Sequence, residues 1–405
     1  MPFSPPESVD QLLQCMVRLD SVNSAISLRS RPEQPLADFL AQAAAAWGLH
    51  VTRLPWRFTA SKQRELGGVP FESGDQLLIT AAASVASGSA PWLLFDSHLD
   101  TVAIEGMTIA PFGGETQGDK LLGRGACDTK GTGAAALWAL KEYAAAERPN
   151  NVALLFSVDE EISMTGIVSF IENDLPALAW RPRAVIVGEP TMLRPVIAHN
   201  GVTRWTVTTT GVAAHSAAPY LGKSAIRMMM KVMQAIEENY IARLETKHPL
   251  TGGAVCTINI IRGGSQVNIL ADKCEIQIDR RLAPGESVEA ATAALRQVID
   301  AARLADAEIC VDLKVTRWSP PLPEQSSAAF LPIVQNVLRS MNLPAAPIGA
   351  PFATNGGDLA AAGLPTLVWG PGDPYPAHTK DEWVSLSAIR QGVQAYLKLM
   401  RSPWA

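Results

Sequence analysis

The sequence predicts an α/β protein with a central, mostly parallel sheet, into which a smaller α+β domain is inserted. Its 405 residues are enough for two or three domains. Four unbroken apolar runs, which are typical of buried parallel strands, alternate with helical segments. From about residue 202 to 316, strands instead alternate apolar and polar side chains, as in a sheet with one wet face.

The four apolar runs are the predicted strands of the main sheet. They occupy residues 92–95, 152–156, 184–187 and 366–369. Helical periodicity covers residues 131–146 and 385–399. Strands that alternate with helices in this way favour a sheet covered on both faces.

The inserted segment has a different pattern. In one strand Cys274, Ile276 and Ile278 point to one face, and Arg281 continues the polar face. With two amphipathic helices the order is β-α-β-β-α-β, which is ferredoxin-like. We therefore expect residues 1–201 and 317–405 to form one domain and residues 202–316 to form the second.

Composition excludes several classes of protein. Lys and Arg total 34 against 39 Asp and Glu, and no basic block occurs, so no nucleic-acid partner is expected. No apolar stretch approaches the roughly 18 residues that span a bilayer, and no leader-like start is present, so we expect a cytoplasmic protein without a membrane partner. The five scattered cysteines form no CxxC pair and predict neither a disulfide framework nor a thiolate zinc site.

Acidic residues and histidines follow each apolar run. Singly, each is typical of a surface turn, a solvated charge run or, at Asp128, a helix cap. The carboxyl ends of parallel strands meet at one edge of a sheet, however, so these side chains should converge there. Nitrogen and oxygen donors of this kind suit two divalent ions such as zinc. The residues concerned are His98, Asp100, Asp128, Glu160, Glu161, Glu189 and His378.

The glycine-rich loop before Asp128 is not a nucleotide-binding loop. The third glycine of GxGxxG is replaced by Asp128, and no GK[ST] follows. A carboxylate at that point would repel phosphate.

Five motifs follow one another along the chain: Ser97-His-Leu-Asp100, Gly123-Arg-Gly-Ala-Cys-Asp128-Thr-Lys-Gly131, Asp159-Glu-Glu161, Gly188-Glu-Pro190 and Ala377-His378. In this order they resemble the motifs of the co-catalytic zinc peptidase and deacylase family of acetylornithine deacetylase, succinyl-diaminopimelate desuccinylase, aminoacylase and carboxypeptidase G. The resemblance covers nearly the whole chain. It implies a zinc-peptidase-like catalytic domain and an inserted ferredoxin-like dimerisation or lid domain.

The resemblance also implies metal-site roles. His98 and Glu189 would bind one metal ion, and Glu161 and His378 the other. Asp128 would bridge the two ions. We expect zinc at both positions, with cobalt or manganese as alternatives.

Two residues of the same motifs would act beside the metals. Asp100 would orient His98. Glu160 would be the general base towards a metal-bridging water.

Further residues match the family's substrate contacts. His215 resembles the lid-domain histidine that reaches the partner subunit's active site, which implies a homodimer through residues 202–316. Asn268 and Arg281 resemble residues that grip the substrate's carboxylate, a task that suits the planar fork of arginine. Gly356 and Gly357 would offer backbone N–H groups near the substrate.

The expected function is therefore a two-metal amidohydrolase that deacylates an N-acyl amino acid, as acetylornithine deacetylase does. A dipeptidase or carboxypeptidase that acts on a small peptide with a free carboxylate is the alternative, because both substrates present an amide near a carboxylate. A non-catalytic metal-binding protein is disfavoured, since neither a ligand nor the base is missing. The other histidines, His50, His199 and His248, match no motif and are interpreted as ordinary polar residues.

Overall fold

The computed structural model describes residues 3–57, 72–83 and 90–404. In these ranges no helix is both long and apolar enough to cross a membrane. The α-helices are α1 (Val9–Val17), α2 (Ser24–Ser27), α3 (Gln34–Ala46), α4 (Lys130–Ala144), α5 (Thr165–Ser169), α6 (Ala225–Asn239), α7 (Val288–Ala305), α8 (Leu331–Ser340), α9 (Asn355–Ala361) and α10 (Leu386–Arg401).

The strands form two larger sheets and two small ones. In chain order they are β1 (His50–Leu54), β2 (Gln76–Ala81), β3 (Trp92–His98), β4 (Glu115–Gln117), β5 (Lys120–Leu122), β6 (Asn151–Ser157), β7 (Pro182–Val187), β8 (Val196–His199), β9 (Gly201–Thr210), β10 (Lys247–His248), β11 (Gly252–Gly253), β12 (Val255–Gly263), β13 (Lys273–Leu282), β14 (Val311–Ser319), β15 (Ile348–Ala350), β16 (Thr366–Val368) and β17 (Trp383–Ser385).

The largest sheet has eight strands in the order β1-β2-β6-β3-β7-β16-β8-β15. Its middle strands β6, β3, β7 and β16 are mutually parallel, and β1 and β2 add an antiparallel edge. These middle strands are the four apolar runs of the sequence, so the prediction of a central, mostly parallel sheet is confirmed. Strand β8 pairs antiparallel to β16 and parallel to β15.

Both faces of this sheet are buried, which explains why its strands are apolar without alternation. Phe95 and Leu154 pack into the cluster that includes residues of α1, α3, α4 and α10. Leu94 and Leu155, the neighbours of those residues, pack on the opposite face with α5 and α9.

Helix α4 approaches the sheet closely because it is built from small residues. A Cβ atom at Gly133 would lie 2.9 Å from the ring of Phe156 and 2.9 Å from Oγ of Ser97. The close approach brings the start of α4, and with it Asp128, to the ends of β3 and β6.

The second sheet contains only residues between Gly201 and Ser319 and has the antiparallel order β12-β13-β9-β14. Helices α6 and α7 cover one of its faces around a separate apolar cluster that includes Trp205, Met229 and Leu295. The side chains of Ser224 and Ser287 cap the two helices. The element order is the β-α-β-β-α-β order predicted from the sequence.

Candidate active site

The predicted ligands converge at the carboxyl ends of the middle strands. His98 ends β3, and Glu161 and Glu189 follow β6 and β7. Asp128 lies two residues before the start of α4, and His378 lies in the loop between β16 and β17. The parallel arrangement gathers residues that are far apart in sequence at a single edge.

Asp128 lies between two histidines. Its Oδ1 is 3.1 Å from Nε2 of His98, and its Oδ2 is 3.1 Å from Nε2 of His378. Glu189 approaches the first histidine, with Oε1 4.0 Å from Nε2 of His98. Glu161 approaches the second, with Oε1 3.1 Å from Nε2 of His378. The site therefore has two halves, each with one histidine and one glutamate, and Asp128 is shared between them.

The donor atoms are close enough to hold a metal ion. One ligand atom each from His98, Asp128 and Glu161 lie within 4.8 Å of one another. All of these donors are nitrogen or oxygen, the set that zinc and similar borderline ions accept. The nearby thiol of Cys127 instead donates to the carbonyl oxygen of Asp373 at 2.9 Å.

The carboxylates of Glu160, Glu161 and Glu189 are buried close to other carboxylates, and these negative charges repel one another. Burial, with a contribution from neighbouring Glu161, raises the pKa of Glu160 to about 8. Burial and the charge of Asp128 raise the pKa of Glu161 to about 7 and that of Glu189 well above its usual range. Such crowding favours a bound cation, which would stabilise the ionised carboxylates.

The pKa shifts of the central carboxylate and of the histidines favour their ionised forms instead. Burial would raise the pKa of Asp128, but hydrogen bonds with His378 and His98 outweigh it and lower that pKa. Hydrogen bonds with Asp128 and Glu161 raise the pKa of His378 to about 11. Without a bound ion, the positive charges of the imidazolium groups offset the negative charges of the neighbouring carboxylates. A divalent ion would take over that role, with neutral imidazoles as ligands.

His98 is held in the tautomer that ligation requires. Its Nδ1 donates to the carbonyl oxygen of Asp100 at 2.9 Å, so the neutral ring would keep its proton on Nδ1 and direct the free Nε2 at the metal site beside Asp128. The carboxylate of Asp100 accepts the backbone N–H groups of Glu160 and Glu161 at 3.0 and 3.2 Å. Asp100 is fully buried. Through these hydrogen bonds it links His98, a predicted ligand, to Glu160, the predicted base.

Two supporting residues carry no role in the sequence prediction. Asn23 donates to the carboxylates of both Asp100 and Asp159, at 2.8 and 2.9 Å. Glu382 is buried and accepts the backbone N–H groups of Cys127 and Asp128 at 2.9 and 3.1 Å. Glu382 thus fixes the backbone that presents Asp128. The acidic run after His378 was the available signal for Glu382.

A cavity of about 560 Å³ opens beside the two-part site. Glu160, the predicted base, lines it together with Asp128, Glu161, Glu189 and His378. The four-stranded sheet contributes arginines to the same wall: the predicted Arg281, and also Arg204 and Arg317, which the sequence prediction missed. Their common signal is the open face of an alternating sheet, but strand register is needed to bring them together.

His215 and Asn268 lie together but outside this cavity. The backbone N–H group of Ser216 donates to the carbonyl oxygen of Asn268 at 3.0 Å, and His215 pairs with Ile269. Both side chains are exposed, and neither lines the cavity of its own chain.

Gly356 and Gly357 lie behind the cavity wall. Thr354 lines the cavity and caps α9, with Oγ1 accepting the N–H group of Gly356 at 3.0 Å. The N–H group of Gly357 donates to the carbonyl oxygen of Thr354 at 3.2 Å. Both N–H groups are therefore already bonded, so the structure does not present them to a substrate. The physical reason is that Thr354 caps α9 and accepts both N–H groups at the start of that helix.

His199 is buried and organised, unlike the ordinary polar residue expected. Its Nδ1 donates to the carbonyl oxygen of Asn200 at 3.0 Å, and its Nε2 lies 3.1 Å from Oγ1 of Thr354. Burial lowers the pKa of His199 to about 4, so the imidazole is neutral and can accept from Thr354. His50 is exposed, and His248 pairs with Glu324 at 3.0 Å.

Comparisons with known proteins find relatives that are named as hydrolases. An acetylornithine deacetylase of Aliivibrio fischeri (strain MJ11) is 30% identical over 342 residues, which cover 82% of this chain and 86% of that protein. A probable carboxypeptidase of Aspergillus terreus is 29% identical over 385 residues, which cover 93% of this chain and 84% of that protein.

The fold also matches a solved structure. An M20 family metallo-carboxypeptidase from Sulfolobus solfataricus matches with a TM-score of 0.74 at 15% identity, over 98% of this chain and 99% of that chain. The model of the family described as Peptidase family M20/M25/M40 matches residues 94–402. The chain therefore belongs to peptidase family M20/M25/M40 and is a metal-dependent hydrolase of amide or peptide bonds.

Proposed function

We propose that the protein removes the acyl group from an N-acyl amino acid, with two divalent ions in the site and Glu160 as the general base. The observation that carries this proposal is the position of Asp128 between two histidine–glutamate pairs, in the same cavity as Glu160 and Arg281. A carboxylate shared by two donor pairs could bridge the two closely spaced ions of a two-metal site.

The residues in place fit such ions. His98 and Glu189 would hold one and Glu161 and His378 the other, with Asp128 between them. Two bound divalent ions lower the pKa of water and polarise the scissile carbonyl group. We propose zinc, with cobalt or manganese as alternatives, because zinc accepts imidazole and carboxylate ligands in one site.

Glu160 would move the proton. It lines the cavity, and Asp100 holds its backbone N–H group. As a carboxylate it would take a proton from the attacking water, and as an acid it would return that proton to the leaving amine. Burial raises its pKa to about 8, and bound cations would bring that value down towards neutrality, where a single group can serve both steps.

The inserted sheet would bind the substrate's carboxylate. Arg281 lines the cavity from β13, and its planar guanidinium can pair with both carboxylate oxygens.

We further propose that the chain acts as a homodimer through residues 202–316. His215 and Asn268, which lie outside their own cavity, would then reach the site of the partner subunit, where His215 would stabilise the developing oxyanion. The five free cysteines are consistent with the reducing cytoplasm.

A substrate panel tests the proposal. The zinc-loaded protein should release free amino acid from N-acetyl amino acids, and removal of the metals should stop the release. Hydrolysis confined to dipeptides would instead support the peptidase alternative and overturn the deacylase assignment.

A further inference from the structure

Three arginines from three neighbouring strands line the cavity. They are Arg204 on β9, Arg281 on β13 and Arg317 on β14. Arg204 lies directly opposite Asp279 of β13 and directly opposite Arg317 of β14. Helices α6 and α7 cover the other face of this sheet, so its open face presents the guanidinium groups to the cavity.

A single protein carboxylate serves two of these cations. Asp279 accepts from Nε of Arg204 at 3.0 Å and from Nε of Arg281 at 2.8 Å. Within the described residues, the terminal Nη groups of these two arginines make no hydrogen bond. Arg204 and Arg281 therefore share one hydrogen-bonded carboxylate on this sheet, and the Nη groups of both are left to bind substrate carboxylates.

Arg317 makes no hydrogen bond with a carboxylate in the described residues, although the charges of Glu160 and Asp159 act on it. Its Nη1 donates to the carbonyl oxygen of Glu161 at 3.3 Å, which is a backbone group without charge. Its Nε is shielded from solvent and has no hydrogen-bond partner in the part of the chain that the structure describes. A buried cationic donor without an acceptor is costly, and an anionic ligand in the cavity would lower that cost.

We propose that the substrate carries two carboxylates and that its amino-acid part is acidic, of the aspartate or glutamate class. This inference rests on the proposed function. Arg281 would take the α-carboxylate, and Arg204 with Arg317 would take the side-chain carboxylate. Arg281 lies opposite Val202 and is therefore a diagonal neighbour of Arg204. Diagonal neighbours on paired strands lie about 7–8 Å apart, a spacing from which two long arginine side chains can reach the two carboxylates of one amino acid. A cationic side chain such as that of ornithine would be repelled by the same arginines.

The test compares zinc-loaded wild-type enzyme on matched pairs of substrates, each in both enantiomers. N-acetylglutamate against N-acetylglutamine isolates the side-chain charge, and N-acetylornithine reverses it. N-succinyl-leucine against N-acetyl-leucine places the second carboxylate in the acyl group. We expect kcat/KM for N-acetylglutamate to exceed that for N-acetylglutamine by at least about tenfold, as for one charge-assisted hydrogen bond, with N-acetylornithine the poorest substrate.

Variants assign the preference to residues. Arg204→Gln and Arg317→Gln should each reduce the ratio of kcat/KM between N-acetylglutamate and N-acetylglutamine by about tenfold, towards a ratio of one. Lys314→Gln is the matched control, because Lys314 is an exposed cation of β14 that does not line the cavity. It should leave the ratio unchanged.

Several outcomes would overturn the inference. Equal rates on N-acetylglutamate and N-acetylglutamine would do so, as would variants that lower both rates by the same factor, because that is the signature of a purely structural arginine. A preference for N-succinyl-leucine without a preference for glutamate would place the second carboxylate in the acyl group and overturn the amino-acid assignment. Each of these three results leaves the deacylase proposal standing. Failure to hydrolyse any member of the panel would overturn both the deacylase proposal and the inference of an acidic substrate.

Discussion

The carboxylate of Asp100 accepts the backbone N–H group of Glu160 at 3.0 Å. The same carboxylate accepts from Asn23 and lies 3.5 Å from Nδ1 of His98. A shift of Asp100 would therefore displace a proposed metal ligand and the proposed base together. This link makes Asp100 a positioning residue whose effect should exceed that of a single hydrogen bond.

Asp100→Asn tests that link. The amide replaces one acceptor oxygen with a donor, which would face the N–H groups now bound by the carboxylate. We expect a loss of about 10- to 100-fold in metal affinity or in kcat/KM, measured by metal titration and by steady-state kinetics. Asp119→Asn is the control, because Asp119 also accepts a backbone N–H group, from Ser387, but lies away from the site. Wild-type affinity and activity in Asp100→Asn would refute the positioning role.

Glu160→Gln separates the base from the ligands. Glutamine keeps the size of the side chain but cannot take a proton from water. We expect kcat to fall by about 10²- to 10⁴-fold while the metal content, measured by elemental analysis, stays at the wild-type level. The exposed Glu105→Gln variant should be unaffected in both measurements. Full turnover in Glu160→Gln would show that another group acts as the base.

Complementation tests whether the active site is shared between subunits. His215→Ala should be inactive because the exposed His215 is proposed to serve the partner's cavity, and Asp128→Ala should be inactive because the metal site is broken. A mixed dimer of the two variants would contain one complete site, so activity should reappear when they are co-expressed. Verified heterodimers without activity would count against sharing.

Glu33 gives a prediction for stability against pH. The residue is fully buried, and burial, with a contribution from Asp100, raises its pKa to about 8, against about 4.3 in the unfolded chain. The folded state therefore holds a proton that the unfolded state has lost. The stabilisation is complete below about pH 4.3 and is lost as pH rises through about 8, with a slope of up to about 1.4 kcal/mol per pH unit.

Glu33→Gln should remove this dependence. The neutral amide has no charge to bury, so the variant should gain free energy of unfolding relative to wild type between pH 5 and pH 8. Urea unfolding at the two pH values measures the difference. The exposed Glu105→Gln variant serves as the control and should follow wild type. Parallel pH profiles for Glu33→Gln and wild type would show that Glu33 is ionised in the folded protein.

The clustering of the predicted metal ligands could be predicted because these residues follow the ends of parallel strands. Once β3, β6, β7 and β16 are identified as parallel, the residues that follow them must meet. For that reason His98, Glu161, Glu189 and His378 could be predicted to lie together without any pairing information. The element order of the inserted sheet followed from the change in apolar spacing.

What could not be predicted depends on contacts between distant or antiparallel segments. Arg204 and Arg317 meet only because of the register of β9 with β14. Glu382 has no role in the sequence prediction, but in the structure it is buried and accepts the backbone N–H group of Asp128. The N–H groups of Gly356 and Gly357 looked available in the sequence, because capping by Thr354 follows only from the conformation at the start of α9.

Metal removal and replacement test the central claim most directly. The protein should be dialysed against a chelator, assayed on N-acetyl amino acids, and then titrated with zinc while bound metal and kcat are followed together. The two-metal account predicts that activity disappears in the metal-free protein and returns in full only when two ions are bound per chain. Full activity in metal-free protein, or full recovery with one ion per chain, would contradict it.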